Sequence, residues 1–144
     1  MTIEQLVADA KSLAQPTERA CKEYSVKQNE LAGMLVRDLF NTEGFYDLVG
    51  TKNTEMLRDN IHNQFKFMES VYLKYEPSVF VNTIAWAFNV YLNHGFEERF
   101  WDFLFPAVLD LYRNNLSPES HSQLAPFYQW MQAHKDDFIA IALV

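Results

Sequence analysis

The chain has 144 residues, a length that suits one domain around one core. Apolar residues make up 49 % and aromatics 15 %, ample for a packed interior of large rigid side chains. A net charge of −7 with no Lys/Arg cluster lacks the electrostatic footprint of a nucleic-acid binder.

Thr2 with Gln5 has the form of a capping box and opens a helix over residues 3–14. Pro16 suits the first turn of the next helix, which runs to Phe40 with Leu31, Leu35 and Leu39 on one stripe. GFYDLVG, residues 44–50, reads as a turn or a single helical turn between glycines. Thr54 is placed to cap a helix to about Tyr75, with Leu57, Ile61, Phe65, Met68, Tyr72 and Tyr75 at spacings of three and four. Glu76-Pro77 ends it, because a residue before proline avoids the helical well. Residues 78–94 are apolar on nearly every side, the pattern of a helix buried on most faces. Gly95 ends that run, and residues 97–114 repeat the pattern with Pro106 inside as a kink or first-turn marker. Leu116-Ser117-Pro118-Glu119 is a helix start, and the last helix reaches about Ala142 with a bend expected near Pro126. No segment alternates with period two, so strands are not expected. The expectation is one all-α domain over residues 1–144, with six to seven helices, some sandwiched between others rather than arranged as a simple bundle.

No apolar stretch is long enough to span a bilayer. The first residues carry Glu4 and Asp9 where a signal peptide would be basic and then apolar. The single cysteine, Cys21, forbids an internal disulfide and fits a reducing compartment, so a cytoplasmic location is expected.

The segment HGFEERFWDFLFPAVLDLYRNNLSPESHSQLAPFYQWMQ resembles the globin superfamily in its order of pieces. A glycine-apolar corner is followed by an aromatic, a long helix and a Ser-Pro-Glu start to the final helix. DLFNTEGFYDLVG lies where globins place a phenylalanine-bearing corner, a part open to Phe40 or Phe45. The resemblance implies a globin-like fold. It implies haem as a possible cofactor, with Tyr91 in the proximal slot, His94 one turn on along the same face, and His62 on the distal side. A tyrosine where globins hold iron by histidine is more similar to the haem-free, cavity-bearing sensor domains of that superfamily.

Residue by residue, His94 before Gly95 reads as a helix-end residue that favours the dipole. Asp59 and His62 have the spacing of one metal-binding pair, but no second such pair exists, and Gly95 separates His94 from Glu98. His121 and His134 read as boundary residues, and Cys21 has no histidine nearby in sequence. No metal site, phosphate loop or nucleophile elbow is found, and no enzyme is expected. The candidate pocket lining is Phe65, Trp86, Tyr91, His94, Phe100 and Trp101. Three functions remain open: a haem-free sensory or regulatory domain that binds a small apolar ligand or a partner protein; a haem globin that binds a diatomic gas; or an interaction module, such as a homodimer subunit, docking through Tyr24, Tyr46 and Trp130.

Overall fold

Side-chain caps open three of the helices, and glycine or proline sets the start of others. A computed structural model describes residues 1–143, all α-helical with eight helices among the described residues. The Thr2 hydroxyl accepts from the Gln5 amide at 3.1 Å and Gln5 Oε1 accepts from the Thr2 amide at 2.8 Å, the capping box that opens α1 (Ile3–Ala10). Thr17 caps α2 (Glu18–Phe40), so Pro16 stands just before the cap and not inside the helix as expected. Gly44 and Gly50, both at positive φ, bracket α3 (Phe45–Val49). A 3-10 turn over Thr51–Asn53 leads into α4 (Thr54–Leu73). Thr54 is therefore the first helical residue rather than the cap, and its hydroxyl donates to the Thr51 carbonyl at 3.1 Å. Pro77 is the first residue of α5 (Pro77–Asn93). Then come α6 (Phe100–Asn115), α7 (Pro118–Ala133), capped by Ser117, and α8 (Lys135–Ala142).

Several expected boundaries move, the start of α6 from residue 97 to Phe100 among them. α1 stops at Ala10 because Ser12 and Leu13 turn back on the Asp9 and Ala10 carbonyls. α4 stops at Leu73, where Gln15 accepts the Tyr75 amide at 2.7 Å and the Tyr75 hydroxyl donates to the Ala10 carbonyl at 2.6 Å. The last helix runs through Pro126 and breaks at His134, whose ring is tied to side chains on either side.

α2 is the axis. It packs on α4, α6 and α7, and α6 packs on α7. Four buried tyrosines, Tyr24, Tyr72, Tyr112 and Tyr128, fill the space between these helices. Their hydroxyls are satisfied: Tyr24 donates to the Phe65 carbonyl, Tyr72 pairs with Tyr112 at 2.9 Å, and Tyr128 accepts from Gln64 at 2.8 Å. Glu23 staples α2 to the start of α7, accepting from the Ser117 amide at 2.9 Å and the Ser117 hydroxyl at 2.8 Å.

α5 breaks the pattern. An apolar helix was expected to be buried on most faces, yet Trp86 is 66 % and Val79 49 % exposed. The reason is its neighbours. α5 packs on α1 and α8, while α2 and α6 take up the inner faces of the rest of the fold. Two aromatics expected on the surface, Tyr24 and Trp130, are buried, while Tyr46 is exposed. Among the described residues no helix is long and apolar enough to cross a membrane.

Burial alone would raise the Glu23 carboxyl, but hydrogen bonds from Ser120, Ser117 and Lys27 hold it down, from an ordinary 4.5 to about 2. A depressed folded value gives stability that is present above the unfolded value and lost as pH falls toward 2. Glu23→Gln should therefore cost about 1.5–3 kcal/mol in urea unfolding at neutral pH, with the gap to wild type closing below pH 4. An equal gap at both ends of that range would contradict the assignment.

Candidate functional site

Because α5 leans on α1 and α8, it stands off from α4. The gap between them is a cleft of ≈ 240 Å³. α4 gives it one wall, with Asn60, Asn63, Gln64, Phe67 and Met68. α5 gives the other, with Thr83, Ile84, Trp86, Ala87, Phe88 and Tyr91. The floor is Trp101, Leu104 and Phe105 from α6 and Met131 from α7. Trp86 stands at the mouth with most of its ring in solvent.

The corner after α5 fixes the deep end. Gly95, at φ +92°, allows the chain to turn back, so that the Phe96 amide bonds the Tyr91 carbonyl and the Gly95 amide bonds the Leu92 carbonyl, each at 3.1 Å. These two bonds form a Schellman motif, and the apolar contact that accompanies it is Phe96 stacked on Tyr91, with centroids 4.7 Å apart. The corner is pinned to α3. Asn53 Nδ2 donates to the Val49 and His94 carbonyls at 2.8 and 3.0 Å, and the Glu97 amide donates to the Leu48 carbonyl at 2.9 Å. Tyr91 is thus held from behind with its ring in the cleft wall. Where the α5 wall meets the floor, the rings of Phe88 and Trp101 stack at 3.9 Å and 9°, and Phe138 of α8 stacks on Phe88 at 5.3 Å.

α1 and α8 are tied to each other and to α7. Asp9 Oδ2 accepts from the Trp130 indole at 2.8 Å and faces His134 Nε2 at 3.0 Å. His134 Nδ1 faces Asp137 at 3.2 Å, and Lys135 donates to Asp102 of α6 at 2.6 Å. The support of α5 is therefore a polar seam over a row of rings.

Of the residues singled out in the sequence, Trp86, Tyr91 and Trp101 line the cleft together. Phe65 and Phe100 are fully buried and are not among the lining residues. His94 is exposed at the end of α5, its Nδ1 hydrogen-bonded to the Val90 carbonyl at 2.8 Å, and His62 is half-buried on α4; neither lines the cleft. Haem does not fit this arrangement. No lining residue is a histidine. Burial raises the Tyr91 phenol, against the opposing Asn60 amide, to about 12. Among the described residues no group of three or more His, Cys, Asp or Glu is placed to hold a metal ion.

Sequence reasoning picked out Trp101 of the floor but not the α4 wall, nor Leu104, Phe105 and Met131. One signal was present: Asn60, Asn63, Gln64 and Phe67 recur at helical spacing beside the apolar stripe, with amides where a solvated face would carry charge. No family model, no curated protein and no solved structure matches the chain.

A phenol raised by burial stabilises the fold fully below pH 10 and loses that contribution as pH climbs toward 12. Tyr91→Phe should therefore remove up to about 1.4 kcal/mol per pH unit from the fall in stability across that window, read by urea unfolding at stepped pH. An unchanged slope would place Tyr91 in water.

Proposed function

We propose that the protein is a globin-like regulatory domain that receives a small apolar guest, without haem, in the cleft between α4 and α5. One observation carries the reading: a largely apolar helix leaves Trp86 in solvent at the mouth of an apolar gap. Leaving a large ring unburied forgoes about 1.5–3 kcal/mol of burial, a cost that a guest recovers by covering it. The cleft's ≈ 240 Å³ lies just under the about 300–1,000 Å³ of sites for drug-sized ligands, which favours a smaller molecule. The helix order supports the globin-like part: a short corner helix after α2, two helices flanking the cleft, and two long helices closing its floor.

The support of α5 suggests the response. A guest that pushes α5 from α4 presses on α1 and α8, the helices behind it. The Asp9–His134–Asp137 seam then takes up the strain at the α7–α8 break. A ligand acts this way only through a difference in affinity for the two positions of α5.

The exposed Trp86 and Val79 also favour a second reading, in which α5 docks a partner protein through its outer face. The two separate experimentally. Solvent extraction of freshly purified protein followed by mass spectrometry should yield one apolar compound, and Ala87→Phe, which fills the gap, should lower the yield about tenfold. Loading the guest should slow amide exchange in α1 and α8. Equal recovery from the variant would remove the cleft reading, and exchange changes confined to α4 and α5 would remove the relay.

A further inference from the structure

We infer that the guest is an uncharged, flat aromatic molecule of one or two fused rings, its polar edge turned to the α4 amides. The inference rests on the cleft being a binding site, as proposed above, and adds the chemistry of what enters. None of the residues that line the cleft carries a charge. An ion there would lose its hydration with no partner in return, which disfavours carboxylates and amines.

The rings narrow the class further. Phe88 lies parallel to Trp101 at 9° and to Phe138 at 22°, and Tyr91 lies at 21° to Trp101. A ring stacked in this way has a face taken by its neighbour, Phe88 by Trp101 most closely, which leaves its rim among the surfaces it offers the cleft. Aromatic rims carry the positive part of the ring quadrupole, and the complementary surface is the π-face of another ring. Met68 and Met131 border the same space, and thioether sulfur also favours aromatic neighbours. Trp86 offers an exposed ring at the mouth to cover what enters. A saturated chain would meet the same apolar area but gain none of these contacts.

Asn60, Asn63 and Gln64 stand on the opposite wall at relative positions i, i+3 and i+4. Gln64 Nε2 is committed to the Tyr128 hydroxyl at 2.8 Å, which orients the side chain and leaves its carbonyl oxygen to accept from a ring N–H or O–H. A fused bicyclic with one N–H, such as indole, matches both walls.

The test titrates indole, n-octanol and benzoate into wild type, Ala87→Phe and Gln64→Met, which removes the acceptor oxygen, by calorimetry, with circular dichroism confirming the fold. Indole should bind at least about tenfold more tightly than n-octanol, benzoate should not bind, and both variants should weaken indole about tenfold. If Ala87→Phe fails to fold, Gln64→Met carries the decision. If n-octanol binds as well as indole and a variant blocks both, the aromatic class is overturned while the cleft stands as a site. If all three probes bind weakly and the variants change nothing, the cleft reading and this inference fall together.

Discussion

The interaction on which the rest depends is the packing of α5 onto α1 and α8. The fold has a tight half, where α2 meets α4, α6 and α7, and a second half in which α5 is held from behind. Close-packed interiors leave few voids larger than a water molecule. A gap of ≈ 240 Å³ beside an apolar helix therefore needs a structural cause. Here the cause is geometric: the Schellman corner at Gly95 and the pinning of that corner by Asn53 set the position of α5, and α1 and α8 back it along its length. α5 can close on α4 only by giving up those contacts.

The same arrangement accounts for the placement of polar groups. The tight half buries tyrosine hydroxyls in pairs with one another, with a carbonyl and with Gln64, and among the described residues no fully buried side-chain nitrogen or oxygen lacks a hydrogen-bond partner. The loose half keeps its charges at the rear, in the Asp9–His134–Asp137 seam, and its amides along the α4 wall of the cleft. Charge is excluded from the space between. That separation suits a neutral guest, and no imidazole stands in the space for a haem iron.

Much of the helical plan was legible in the sequence because it is local chemistry. The Thr2–Gln5 capping box, the Ser117-Pro118 start and the Gly95 stop are short-range hydrogen-bond patterns, and each appears where the residues put it. Boundaries set by distant partners were not legible. The end of α4 depends on Gln15 and the break at His134 on Asp9, neither of which is near in the chain. The site was half legible for the same reason. Trp86, Tyr91 and Trp101 stand out as large aromatics on either side of the Gly95 corner, while Met131 and Leu104 become cleft residues only when α6 and α7 pass beneath α5. Amphipathic patterning says which helices are greasy, but not which of them tertiary packing will leave partly uncovered; α5 is the case where the two differ.

Everything turns on α5 standing away from α4 over an apolar gap. A crystal structure determined under xenon pressure reads that gap, because xenon enters apolar space and not packed cores. A xenon atom should appear between Met68, Phe88 and Leu104, with the Trp86 ring in solvent. A structure with α5 seated against α4, Trp86 buried and no xenon between them would contradict it.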